Sequence, residues 1–344
     1  MEIADQRTMI SRKLSRGIGL ATLACLLGAA APPPPPFLAS FITNGSFVSG
    51  DYSFARGAFP GATPEQRANW GQIQPYLHAC MHEATLAEDA ALRHIGITRE
   101  VTKDRPYQDH LCAQIGHAAS AVKGFTNWDR FRSAFAKSLP YYQVYAVGLE
   151  ASASAIEARR DSDDLADQLS ARIIPDQGWR YPMMGSLDAL PGIDADIHTA
   201  LLHRIVAAMI ESDWDNSHWA RNVITARGWA ALAKMGGKVP RLMWLIVQHA
   251  DNDPALQAIT LREIEPLMRE GKFSRADYAL MVDRVGLATI GVQHYGSQLR
   301  CENGHFAPYS MDSGGSDAKV LDARRAMMNL PPEKEYLAYL PDHC

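Results

Sequence analysis

The sequence has no excess of either charge. Its 34 Lys and Arg face 38 Asp and Glu, a formal net charge of −4, which argues against a dedicated nucleic-acid surface. Sustained alternation of apolar and polar residues is missing, so a sheet-based core is not expected. No internal repeat is present, and neither is a nucleophile elbow, a phosphate-binding Walker loop, a dinucleotide fingerprint or a zinc signature, so no single motif names a reaction. Cysteines number only five. What remains is globular composition: 47% hydrophobic, 21% charged, with 25 Gly and 20 Pro in 344 residues, enough chain for roughly two domains and a sizeable core.

The N-terminus reads as an export signal. Arg12, Lys13 and Arg16 precede the apolar stretch Gly17–Ala31, which ends in small residues and is followed by Pro32–Pro36. A basic region, an apolar region and small residues at the cut are the parts of a secretory signal peptide. The stretch is short of the roughly 20 residues a bilayer span requires. Residues 1–30 are therefore expected to be removed, leaving no transmembrane segment in the mature chain; an uncleaved anchor is the alternative. Thr22-Leu23-Ala24-Cys25 approaches a lipoprotein box, but Thr22 stands where an apolar residue is wanted, so Cys25 is assigned to the discarded signal. Four cysteines then remain, Cys80, Cys112, Cys301 and Cys344. An even count in an exported chain suggests disulfides; Cys80–Cys112 with Cys301–Cys344 is the preferred pairing of three, and reduced thiols are the alternative.

The spacing of apolar residues predicts an all-α fold of two helical domains joined by a loop-rich connection and stapled by disulfides. Residues 31–63 read as a Pro-rich linker and loop. Residues 64–172 read as an N-terminal helical domain that starts at Thr63-Pro64 with one helix or two, the candidate break being near Pro75, and includes a separate helix from Tyr141 to Arg160 after Pro140. Residues 173–195 contain Pro175, Gly178, Pro182, Gly185, Pro191 and Gly192, a density of breakers that predicts a linker. Residues 196–344 form the expected C-terminal domain. There Asp253-Pro254 reads as a cap and first position, Gly271 as a C-cap, and Ser274 as the cap of a helix over Tyr278–Ile290.

Two groups of residues could carry chemistry. In the N-terminal half His78 and His82 are four apart and share a helix face, a spacing that can bind zinc. No third ligand stands at a fixed spacing, so no metal is assigned. The C-terminal half offers more. His249 and Asp251 sit at a helix-to-helix turn and are hard to explain by capping alone, so they are candidates for an oriented base. Asp283 and Arg284 are adjacent charges in an otherwise apolar helix, of which at least one must face inward and find a partner; Asp251 is the expected partner of Arg284. Gln293-His294-Tyr295-Gly296-Ser297-Gln298 reads as a polar loop. The catalytic candidates are His249, Asp251 and Asp283; the ligand-binding candidates are Asn216, Arg284, Tyr295 and Gln298. No cofactor or partner is implied.

The ordered segments WLIVQHADNDPALQ (244–257), YALMVDRV (278–285) and QHYGSQ (293–298), followed by Asp322-Ala323-Arg324-Arg325 and Leu330-Pro331-Pro332-Glu333-Lys334-Glu335-Tyr336, resemble a bacterial family catalogued as domain of unknown function 6624. Upstream, Asp213, Asn216 and Gly228-Trp229 fit the same pattern. The resemblance covers about residues 210–340. Ala230, Ser297 and the insert Ser313–Lys319 depart from it without removing a chemically important group. It implies a mostly helical, often exported domain and carries no activity with it. Two functions remain. The chain reads as a non-catalytic envelope or periplasmic protein whose polar residues fix helix packing. The alternative is a hydrolase or transferase in which His249 is the base, Asp251 or Asp283 orients it, and Arg284, Tyr295 and Gln298 hold substrate.

Overall fold

The computed structural model describes residues 32–101, 109–157, 164–184 and 193–340; the expected leader and its cleavage site lie outside them. Thr63 starts the helical part. Its hydroxyl accepts from the Gln66 N–H at 3.1 Å, and the Gln66 side chain accepts from the Thr63 N–H at 2.9 Å, satisfying two of the donors that a helix start leaves bare. Helix α1 spans Pro64–Gly71 and α2 spans Ile73–His94. The break falls at Gln72 rather than Pro75, because Pro75 lies in the first turn of α2, where an amide N–H has no helical acceptor.

The remaining helices are α3 (His110–Ser120), α4 (Trp128–Glu157), α5 (Leu165–Arg180), α6 (Ala195–Arg227), α7 (Trp229–Met235), α8 (Val239–Gln248), α9 (Pro254–Arg269), α10 (Arg275–Thr289), α11 (Ala318–Met327) and α12 (Glu333–Ala338). Side chains of Asp164, Asp194, Asp253 and Ser274 cap α5, α6, α9 and α10. Two short antiparallel hairpins interrupt the helices: β1 (Ile42–Thr43) with β2 (Ser46–Phe47), and β3 (Leu299–Glu302) with β4 (His305–Pro308). The all-α expectation holds at the level of a mostly helical chain.

Prolines are less disruptive than their density suggests. Helix α4 runs unbroken through Pro140, and α5 runs through Pro175 to Arg180, so residues 173–180 of the expected linker are helical. A proline inside a helix costs a backbone hydrogen bond and a clash, and here packing of α5 on α4 offsets it. The Tyr145 hydroxyl donates to the Gly178 carbonyl at 2.6 Å. The Trp179 ring stacks on Tyr142 with centroids 5.7 Å apart. Gly178 leaves room there for the Leu149 side chain, which would have to move if a Cβ were added. Residues 185–192 of that linker lie outside the described residues.

Two larger cores organise the chain. The first is aromatic: Phe47, Tyr52, Phe54 and Phe59, delivered by short 3₁₀ turns and the β1–β2 hairpin, pack on Phe131 and Phe135 of α4. Residues 37–63 are therefore core-forming, and they look like loop in sequence only because such turns carry no helical period. The second core joins Leu92 of α2 and Leu165 and Leu169 of α5 to Trp229, Trp244, Val247, Leu261 and Met281.

The disulfide expectation is corrected at Cys80 and Cys112. Helices α2 and α3 bring the two residues to within 2.7 Å, short of a disulfide bond, and both are buried free thiols; Cys80 Sγ lies 3.7 Å from Asp109 Oδ1 and Cys112 Sγ 3.9 Å from the Leu77 carbonyl. For the second pair, Cys301 is on β3 and Cys344 lies outside the described residues. Among the described residues no helix is long and apolar enough to cross a membrane.

Candidate functional site: a buried acid–base cluster

The segment Gln248–Pro254 links α8 to α9, and its polar side chains point into three different helices. His249 caps the end of α8 with its backbone near helical angles, φ −89° and ψ 0°. Its Nδ1 lies 2.9 and 3.1 Å from the two oxygens of Asp176 on α5. Asp251 accepts from Arg284 Nη1 of α10 at 2.8 Å through each oxygen, and from Gln257 Nε2 at 3.3 Å. Asn252 donates to Ser217 Oγ of α6 at 2.7 Å. Asp253 caps α9 through the Leu256 N–H at 3.0 Å and pairs with Arg221 of α6. The side chains of His249, Asp251, Asn252 and Asp253 thus tie the turn to α5, α10 and α6.

Arg180 connects this turn to α6. Its Nη1 donates to the Asp176 backbone carbonyl at 2.7 Å and to Asp176 Oδ1 at 3.3 Å, and its Nη2 donates to both oxygens of Asp213 at 2.6 and 2.8 Å. Gln177 Nε2 donates to Asp176 Oδ2 at 2.6 Å. Asp176 is 0% exposed, a place where a carboxylate persists only if it is paired.

The electrostatics separate the two acids. Burial pushes the Asp176 carboxyl up, but the hydrogen bond from His249 and the charge of Arg180 outweigh it and hold it below its ordinary value. Burial raises Asp213 to about 7 against the pull of Arg180, and the charges of Asp176 and Asp251 add to the rise. Burial depresses the His249 imidazole despite Asp176, with Arg180 and Arg284 helping to lower it. A neutral His249 gives its one N–H from Nδ1 to the carboxylate. Nε2 then carries the lone pair, has no partner among the described residues, and belongs to a ring that is 13% exposed. A neutral base linked through Asp176 and Arg180 to an acid that gives up its proton at about pH 7 is an arrangement suited to proton transfer.

Four buried polar atoms around the cluster have no partner: Gln248 Oε1, Asn252 Oδ1, Asn216 Nδ2 and Arg284 Nε. Such groups are costly unless something satisfies them. Among the described residues no group of three or more His, Cys, Asp or Glu is placed to hold a metal ion.

The seven candidates named from the sequence divide. His249, Asp251 and Arg284 meet in this cluster. Asn216 stands beside it on α6, accepting from Arg172 at 3.1 Å. The other three belong to a clamp. Asp283, fully buried, accepts backbone N–H groups from His294 at 2.7 Å, Tyr295 at 2.8 Å and Ser297 at 2.8 Å. Arg325, also buried, donates to the carbonyls of Tyr295 at 2.7 Å and Pro331 at 2.6 Å, with its guanidinium carbon 5.0 Å from the Tyr336 ring centre. Gln298 closes the loop on Gln293: its N–H donates to Gln293 Oε1 at 2.9 Å and its carbonyl accepts from Gln293 Nε2 at 3.0 Å. All of the hydrogen bonds named for Asp283, Arg325 and Gln298 fix main chain, which is a structural task.

The motif-bearing half is also what relates this chain to others. Residues 202–344 match the family of unknown function DUF6624. No curated protein and no solved structure matches the chain. The DUF6624 stretch supplies Asp213, His249, Asp251 and Arg284, whereas Asp176 and Arg180 come from α5, before the stretch begins. Sequence reasoning misses those two because they fall in the breaker-rich segment. Their spacing of four, an acid followed by a base, is a readable signal once Pro175 is allowed inside a helix.

Proposed function

We propose that the chain is an exported protein whose Asp176–His249 pair, with Asp213, serves as an acid–base site for hydrolysis or group transfer on a polar substrate of the cell envelope. The observation that carries this reading is the His249 ring, tied at Nδ1 to a buried carboxylate and left with a free Nε2. In a hydrolytic step Nε2 would take a proton from water as the water oxygen attacks. Protonated Asp213 would hand its proton to the departing group, so that one proton is gained by the pair and one is lost. Arg284, Asn216 and Asn252 would supply the orphaned donors and acceptors to the substrate.

The test is a screen of the full chain against nitrophenyl esters, phosphates and glycosides. His249→Gln and Asp176→Asn should each lower kcat/KM by about 100-fold or more, the range of a lost general base, with the circular dichroism spectrum unchanged. Equal turnover in His249→Gln, or no turnover on any class, would favour the non-catalytic reading. The clamp built on Asp283 already supports that reading for its own residues.

Export rests on the Arg12–Ala31 pattern and predicts a mature N-terminus near Ala31 by mass spectrometry of protein from its native host. In an oxidising compartment the adjacent thiols of Cys80 and Cys112 would close into a bridge, and Cys301 would pair with Cys344.

A further inference from the structure

A cavity lies between α9, α10, the segment after α2 and the end of α11, on other residues than the acid–base cluster. It measures about 720 Å³, within the range of about 300–1,000 Å³ typical of small-molecule sites. Leu261, Met268, Val282, Val285, Ile290 and Met328 give it an apolar wall. Methionines in such a wall adapt to an irregular ligand more readily than branched side chains do. Gly286 lines it too, and is needed because a Cβ there would come within 2.6 Å of the Val292 carbonyl oxygen.

The charged residues of the cavity are mostly committed. Arg269 pairs with Glu265 at 2.5 Å. Arg275 donates to the Met327 carbonyl at 3.3 Å. Asp312 holds His294 Nδ1 at 2.5 Å and Arg324 Nη1 at 2.6 Å. Glu100 is exposed to solvent. Arg262 is different: it lines the cavity, is only partly exposed, and makes neither an ion pair nor a hydrogen bond among the described residues. An uncommitted guanidinium on an apolar wall complements a ligand with an apolar body and an anionic end.

We infer that this cavity binds a single-chain amphiphile with a carboxylate head, a fatty-acid-like ligand whose tail lies against Met268, Val282 and Met328 and whose head meets Arg262. The inference is independent of the acid–base site. No step of that reaction passes through the cavity.

Calorimetric titration of the full chain with dodecanoate and with dodecanol, both below micelle-forming concentration, tests it. Dodecanoate should bind once per chain and more tightly than dodecanol. Arg262→Gln should weaken dodecanoate by about tenfold or more, the scale of a lost charged hydrogen bond, and leave dodecanol within about twofold. Val282→Trp fills the cavity and should weaken both; Met268→Trp does so from the other wall if the first variant fails to fold. No saturable binding by the wild-type chain would overturn the inference. So would unchanged dodecanoate affinity in Arg262→Gln, or undiminished binding in a folded cavity-filled variant. Self-association that Val282→Trp abolishes, without dodecanoate binding, would instead identify a second copy of the chain as the occupant.

Discussion

One nitrogen of Arg180, Nη2, reaches both carboxylate oxygens of Asp213, at 2.6 and 2.8 Å. Burial nevertheless wins over that contact and raises Asp213 to about 7 from an ordinary 3.8. Two effects of opposite sign therefore act on one group, and they can be separated. Carboxyl ¹³C resonances should show Asp213 titrating near 7 in the wild-type protein. Arg180→Ala removes the opposing charge and hydrogen bond, so the midpoint should rise further. A wild-type midpoint near 4 would mean that Arg180, not burial, sets the value. The folded form holds the proton more tightly than the unfolded chain, so Asp213 costs nothing below pH 4. Its cost grows as pH rises through that window and is complete above 7.

His203 on α6 behaves in the opposite sense. Burial, then the charges of His117 and Lys123, depress its imidazole to about 4 from 6.5, and its Nδ1 is buried without a partner. The unfolded chain binds the proton first as pH falls, so this group's contribution is intact above 6.5 and is lost between 6.5 and about 4. Over that window the loss should be on the order of 3 kcal/mol, at about 1.4 kcal/mol per pH unit. Urea denaturation across pH 4–7 measures it; His203→Gln should flatten that part of the acid limb.

Asp283 makes no contact with solvent and accepts three N–H groups. Asp283→Asn turns one acceptor into a donor aimed at another donor. It should cost about 2–4 kcal/mol, the range for charge-assisted bonds lost in a buried setting, measured as a lower urea midpoint with an unchanged m-value. His249→Gln should cost less, since its ring is partly exposed. If the two costs are reversed, the clamp is not where the stability lies.

Cys80 and Cys112 make a redox prediction. Non-reducing peptide mapping of protein from an oxidising compartment should recover the linked peptides. Reduction should then lower stability by roughly 3–4 kcal/mol in the chain-entropy model for a loop of about 30 residues. Recovery of two alkylatable thiols from that compartment would count against the bridge.

Much of the fold is legible in the sequence, and the illegible parts share one cause. Caps such as Thr63, Asp253 and Ser274 act within a few residues, so local pattern finds them. Pro140 and Pro175 are read locally as breakers, and contacts from Tyr145, Leu149 and Trp179 across the α4–α5 interface overrule that reading. The candidate site shows the same division. His249, Asp251 and Arg284 can be found because they interrupt local logic: a polar pair at a turn, a charge in an apolar helix. Asp176 and Arg180 are hidden because only the long-range packing of α5 gives them a role. Asp283 is conspicuous for the same reason as Arg284, yet its partners are mainly backbone amides, which no side-chain pattern advertises.

The Asp283 clamp grips amides rather than side chains, and this sets what substitution can do to the loop. His294, Tyr295 and Ser297 each contribute an N–H that nineteen of the twenty amino acids possess, so the backbone part of the grip is indifferent to their identity; only Ser297 adds its side chain. Proline alone is barred at all three positions, and Gly296, at φ +64°, is the one place where a side chain would strain the turn. The path of the loop is therefore set by its main chain, and a substitution at these positions is felt through packing before it is felt through the grip.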